Sequence, residues 1–578
     1  MRTISYVVWL AAALAAPAVL ASAAAASVDV YPLANSRVAS PTTQISFRGA
    51  TAAQLRKVAV TGSRTGRHSF AIKAHSDGHG ASLLPRHAFR AGERVTVRAP
   101  GLALTGASSG VLRFRVARFV HGKPILIPDG AGHPKSPLHL HTDHSLRPPR
   151  LVIHTRITAP SGDDLFLAPK GGAGQDGPEI FDEQGRVVWF RRVPGGLSAF
   201  DFRTQDYLGR RVLTWWQGKV ILPGEGLGQG LIFDSAYRLV ARVRAGNGYT
   251  ADLHEFQVTP AGSAYVLAYQ PVTWEHKVVI DCVVQEIDVR TGLVEFEWHS
   301  LDHVPTADSF FPRVAKLPYD YIHINAVEPE ADGSLLISGR NTSTIYDVDP
   351  HTGHIVWRLG GKHSSFAMGP GASFIAQHDA RRARDGTITV FDNGAPPVTK
   401  RPARGIVLAL NFATKTATLV RSFVHSPPFR AGNQGSFQAL PDGGYFFAWG
   451  GGHSWVSEVG PLGHVVFDAQ ISPSSNDTYR AYRLPWRGQP ATRPSVVASS
   501  HAGATAVFAA WNGATDVASW RVLAGPSRDA LAPIKTGAWA NLETQLGFTG
   551  TPRFVAVQAL DVAGRLLGTS AVVSPRRR

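Results

Sequence analysis

The chain has a single cysteine, Cys282, among its 578 residues. No intrachain disulfide can form, and zinc modules built on four cysteines, or on two cysteines with two histidines, are excluded. Charge is also scarce, at 17% of residues against 44% apolar. That excludes a coiled coil or a disordered polyelectrolyte and leaves a globular chain stabilised by its cores. No apolar run of about 18 residues occurs beyond the N-terminus, so a multi-span helical membrane protein is excluded. Glycine follows no collagen period. Acidic residues are the minority charge, 42 Asp and Glu against 59 Lys and Arg, for a net +17. The basic residues are dispersed, so nucleic acid is not the expected partner. The excess reads as an Arg-biased solvated surface, with attraction to anionic polymers, lipids or small molecules as a second reading. Arg576-Arg577-Arg578 reads as a solvated tail.

What the chain does have is turn formers: 58 Gly and 39 Pro. They fit many short strands and tight turns, an all-β chain of roughly three domains. The first 26 residues stand apart. Arg2 precedes an apolar stretch, Val7 to Leu20, and then the small residues Ala21 to Ala26. This is the pattern of a secretory signal peptide, with an uncleaved anchor as the alternative. The protein is therefore expected to be secreted or associated with the cell envelope. Residues 27–118 alternate with period two in Val28–Tyr31, Gln44–Phe47, Val58–Val60, Arg94–Val97 and Val111–Val116, as in a small Ig-like β-sandwich. Residues 119–150 form a His- and Pro-rich connector with His121, His133, His139, His141 and His144. A polar linker is the main reading of this tract, and a metal site the lesser one.

Residues 151–490 repeat one unit: an apolar strand, a turn with Asp or Gly, and a second apolar strand. Copies start at Ile180, Ile232, Ile287, Tyr346, Leu408 and Val459. Six such hairpins, about 55 residues apart, predict a six-bladed β-propeller, which also removes exposed sheet edges. Residues 491–578 predict a C-terminal fibronectin- or Ig-like sandwich with Trp511 and Trp520 in its core.

Between the hairpins a second unit recurs. His254, His323 and His378 each open a short strand that leads through a Gly turn to an apolar strand, while the next copy carries Gly435-Ser436. Inner strands surround the channel of a propeller, so these histidines, 69 and 55 positions apart, are expected to converge. On a strand, Asn325 would face the same side as His323. Arg340, in Ser338-Gly339-Arg340-Asn341, would reach the same channel and suits anion recognition.

Asp252-Leu253-His254-Glu255-Phe256, His323-Ile324-Asn325, Ser338-Gly339-Arg340, Gln377-His378-Asp379 and Phe391-Asp392-Asn393-Gly394 resemble the bacterial arylsulfate sulfotransferase family. The resemblance covers roughly residues 150–490. It implies a six-bladed propeller that moves a sulfuryl group from an aryl sulfate to a phenol without a nucleotide donor. It further implies a sulfohistidine at His378, with His254, His323, Asn325 and Arg340 as sulfate-binding and acid/base residues, and no metal or cofactor. Better-known members carry a disulfide near the site, which this chain cannot make. Two other classes stay open: a metal-dependent hydrolase or lyase propeller using the three histidines, and a non-enzymatic cell-surface binding protein.

Overall fold

The computed structural model describes residues 27–127, 138–157, 162–172, 174–222, 224–399, 401–472 and 476–577. The expected signal segment, His133 and Arg578 lie outside the described residues. The chain is all-β. Its helical content among the described residues is one turn, Ser300–His303, and two 3-10 turns. Among the described residues, no helix is long and apolar enough to cross a membrane.

Residues 29–115 form two four-stranded sheets. Their strands alternate as the sequence does. In Arg94–Arg98, Val95 and Val97 point inward between exposed Arg94 and Arg98, and in Val111–Arg115, Leu112 and Phe114 do the same. With Val30, Phe47, Val60 and Leu83 they build one core cluster. Each such side chain contributes about 1.5–3 kcal/mol of burial. Residues 495–577 also fold as two four-stranded sheets on one core. Trp520 is fully buried there and Trp511 half-buried, its indole N–H bonded to Thr492 O. The C-terminal arginines are exposed, but they are not a free tail: Arg576–Arg577 pairs in parallel with Ser499–Ser500.

Between these regions lie six consecutive sheets of four or five strands. Their first strands are Ala481–Leu484, Ser198–Tyr207, Phe256–Val258, Ile324–Pro329, His378–Arg382 and Ser436–Ala439. All six hairpins expected from the repeat are present, and each carries a register shift at the same place. The shifts fall at Ile180/Phe181, Ile232/Phe233, Glu286/Ile287, Asp347/Val348, Val407/Leu408 and Glu458/Val459. A shared bulge explains the common turn words, because the bulge fixes where the turn can close. The two ends of this segment interlock. Ala481–Leu484 pairs with Asp164–Leu167, and Arg150–Arg156 pairs with Val465–Ser472.

The flanking regions dock by specific polar contacts. Asp288 accepts from Ser76 N–H and Oγ at 2.7 Å each, and Gln44 Nε2 donates to Val294 O at 2.7 Å. At the C-terminal side, Asn512 exchanges two bonds with the Phe190 backbone, and Tyr237 Oη donates to Gly513 O. The connector histidines do not gather. His141 bonds Glu543 and stacks on Phe508, whereas His139 approaches Arg147.

Candidate active site

Where the first strands meet, the backbone departs from extended geometry. Asp201, His323, Asp379 and Gln434 have φ of +55°, +53°, +50° and +60°. Non-glycine residues in this region cost on the order of 1 kcal/mol each and cluster where function fixes them. The ladders also slip at Phe200/Arg203, Ile324/Ala326 and His378/Arg381. Neighbouring residues here face opposite sides, as alternation along an extended chain requires. His254 and His378 enter a cavity, while Glu255 and Asp379, the residues that follow them, enter an ion network on the other side.

The cavity has a volume of about 430 Å³, and His254, His323, His378, Arg340 and Tyr479 line it. His254 Nδ1 lies 2.5 Å from Asp252 Oδ1, and His323 Nδ1 lies 2.5 Å from Asp320 Oδ2. Each carboxylate therefore holds a proton on its partner's Nδ1. The two Nε2 atoms face each other at 3.1 Å. A hydrogen bond at that distance needs one Nε2 to donate, and two carboxylates back the pair. Burial lowers the His323 pKa below its ordinary value, with His254 and Arg340 acting in the same direction and Asp320 opposing them.

His378 is held differently. Asn393 Nδ2 donates to Ala431 O and Gln434 O, which turns its Oδ1 toward His378 Nδ1 at 2.8 Å. The Nδ1 proton is thereby fixed, and Nε2 keeps its lone pair, accepting only a long 3.2 Å bond from Gln434 N–H. Burial, then the nearby Arg340 charge, pushes this imidazole well below its ordinary range, so it is neutral at pH 7. Arg340 donates to Asn341 Oδ1 and Gly432 O and rests 4.6 Å over the Phe311 ring. Burial lowers its pKa to about 10, which leaves it charged, and its Nε has no partner. Lys170, paired with Asp477, completes the cationic wall.

On the other side, three arginines meet three carboxylates. Arg480 reaches Asp201 at 2.9 Å and Glu255 at 3.4 Å, Arg203 reaches Glu255 at 2.7 Å, and Arg381 reaches Glu255 at 2.7 Å and Asp379 at 3.0 Å. The same carboxylates accept backbone N–H groups of the next sheet: Asp201 from Phe256, Glu255 from Val327, Asp379 from Phe437. This network ties successive sheets together around the centre. A larger cavity, about 660 Å³, opens beyond it, where Arg203, Arg381 and Arg483 are already in ion pairs.

Of the residues expected at the site, His254, His323, His378 and Arg340 share the cavity. Asn325 does not line it. His323 stands before the bulged strand at positive φ, so the period-two argument fails there. The Asn325 amide is buried and donates to Gln377 O at 2.7 Å, bracing the strand that bears His378. Asp201 belongs to the ion network. The sequence reading gave no role to Asp252 and Asn393, although both stand in the motifs quoted, and missed Asp320, Gln434 and Tyr479. Asp252 and Asp320 stand two and three residues before their histidines, a spacing that carries no signal outside a known turn. Tyr479, whose hydroxyl reaches His254 O at 3.3 Å, comes from the bend just before Ala481–Leu484, outside the repeat words.

The metal alternative needs three converging donors. Among the described residues, the only group of three potential ligands within 4.8 Å of one another is His75, Asp77 and Glu295. Arg48 already occupies its centre, bonded to all three.

No curated protein sequence matches the chain. Several solved structures are similar at low identity. A protein of unknown function from Bacteroides caccae has 13% identity, with 56% of this chain and 99% of that chain covered, at a TM-score of 0.35. An inactive virginiamycin B lyase variant from Staphylococcus aureus, with quinupristin, has 9% identity, 57% and 91% coverage, and a TM-score of 0.31. The extracellular domain of a putative one component system from B. thetaiotaomicron has 8% identity, 95% and 87% coverage, and a TM-score of 0.29. A family model covers the span that holds His254, His323, Asn325, Arg340 and His378: residues 203–472 match Arylsulfotransferase (ASST).

Proposed function

We propose that this protein is an exported aryl sulfotransferase that works by a ping-pong mechanism through a sulfohistidine at His378. The six sheets are read as the blades of a six-bladed propeller, residues 151–490, flanked by a β-sandwich at 27–118 and another at 491–578. The observation that carries the reading is the state of His378: a buried, neutral imidazole with its Nδ1 proton fixed by Asn393, facing a cavity that also holds Arg340.

The chemistry runs in two steps. The His378 Nε2 lone pair attacks sulfur, and the sulfur–aryl oxygen bond breaks. The departing oxygen takes the proton shared by His254 and His323 and leaves as a phenol. Arg340 and the Gln434 N–H, freed from Nε2, stabilise the charge spread over the three sulfuryl oxygens. In the second step the acceptor phenol gives its proton back to the histidine pair. Its oxygen attacks sulfur, and the nitrogen–sulfur bond breaks. Substrates are aryl sulfates and phenols, and no step needs a cofactor. Turnover of para-nitrophenyl sulfate with phenol as acceptor tests the reading. Release of para-nitrophenol that depends on phenol and is lost in His378→Asn is expected. Equal rates in the two proteins would overturn it.

A further inference from the structure

Another cavity, about 600 Å³, lies beside the histidine site and shares no lining residue with it. The segment Phe119–Ile127 runs between them, bridged to Val272 and to Ile221. Ile127 lines the histidine cavity and Ile125 the second one. Tyr269 is the dividing wall. Its ring is 5.5 Å from both His254 and His323, and its hydroxyl is spent on Ile324 O.

The interior of this cavity is apolar and aromatic, with Leu227, Ala268, Tyr269 and Ile280 on its walls. Two polar groups interrupt it. Glu225 is 4% exposed and its Oε1 has no hydrogen-bond partner. Tyr249 is 7% exposed and its hydroxyl also has none. Folded proteins satisfy nearly all buried polar atoms, so two unpartnered groups on residues that line one cavity single it out for a ligand. Burial, with Asp320 and Asp252 close by, raises the Glu225 carboxyl well above its usual range, which makes it a proton donor to a ligand oxygen. The mouth has the opposite character: Lys123, Arg313 and Lys316 are exposed cations on its rim. The transfer mechanism uses none of these residues.

We propose that this cavity is a separate binding site for hydroxyaryl carboxylates, with the ring between Leu227 and Tyr269, the hydroxyl on Glu225 and Tyr249, and the carboxylate at the Lys123–Arg313–Lys316 rim. A site of this volume takes molecules of that size. The site is independent of the sulfuryl-transfer reading and stands or falls without it.

Isothermal titration of the full chain with three probes provides the test: para-coumarate, cinnamate, which lacks the hydroxyl, and para-vinylphenol, which lacks the carboxylate. Saturable para-coumarate binding is expected, unchanged by saturating para-nitrophenyl sulfate. Tyr249→Phe removes an unpartnered hydroxyl and leaves the thermal midpoint in place. It should weaken para-coumarate about tenfold, the loss of one hydrogen bond, and leave cinnamate unchanged. Lys316→Glu should weaken para-coumarate and cinnamate but not para-vinylphenol. No saturable heat with any probe, which would mean that the cavity holds water only, overturns the proposal. So does displacement by the aryl sulfate, which would place the ligand in the histidine cavity, or equal para-coumarate affinity in Tyr249→Phe.

Discussion

The two sides of the molecular centre are one residue apart in sequence and opposite in design. On one side, Arg203, Arg381 and Arg480 meet Asp201, Glu255 and Asp379, with charges equal in number and backbone donors absorbed as well. On the other, His378 Nε2 is left underused and Arg340 bonds only the neutral oxygens of Asn341 and Gly432, both facing an open cavity. Buried charge that is held by opposite charge is a structural device. Buried capacity that is left unspent is available to a ligand. Alternation along the chain makes the division possible by turning His254 and Glu255, or His378 and Asp379, to different sides.

The largest effect should come from the open side. His378→Asn is expected to lower para-nitrophenyl sulfate turnover by at least about a thousandfold. Its urea midpoint should move less than that of any network variant. A parallel collapse of stability would mean that His378 belongs to the scaffold.

Glu255→Ala should do the reverse. It leaves the three arginines with too few partners, and breaking a buried pair costs about 3–5 kcal/mol. Urea unfolding measures this, and a loss under about 1 kcal/mol would remove the contrast.

Asp320→Asn sharpens the open side further. The shared-proton pair should protonate the leaving oxygen less well, with a fall of about a hundredfold for phenyl sulfate. The fall should be smaller for para-nitrophenyl sulfate, whose leaving group needs less help. Equal losses for the two donors would show that Asp320 only holds the fold.

The smallest effect is on stability against pH. His378 is neutral in the folded state because burial and Arg340 depress its pKa. The unfolded chain takes up that proton below about pH 6.5. The contribution of His378 is therefore present above that pH and lost as pH falls, by about 1.4 kcal/mol per unit. The stability of the wild type relative to His378→Asn should fall by that slope between about pH 6.5 and 5. A flat difference would mean that the imidazole ionises freely when folded.

Much of the architecture was legible in sequence because its cause is local. The alternation in Arg94–Arg98 and the turn words of the six hairpins express the pleat and the shared bulge directly. The convergence of His254, His323 and Arg340 with His378 was legible from register. What was hidden depends on backbone irregularity and on partners distant in sequence. The positive φ of His323 takes Asn325 out of the cavity and makes it a brace for Gln377. The Asp252 and Asp320 contacts need turns that no period reveals. Tyr479 reaches the site because the end of the segment pairs with its beginning.

The central claim is that the unprotonated Nε2 of His378 is the nucleophile. The direct test is intact-protein mass after mixing with para-nitrophenyl sulfate, without acceptor, under acid-free quenching. One added sulfo group is predicted, mapping to His378, discharged by phenol and absent in His378→Asn. An unmodified wild-type mass alongside continued turnover, or an adduct retained in the variant, would contradict the account.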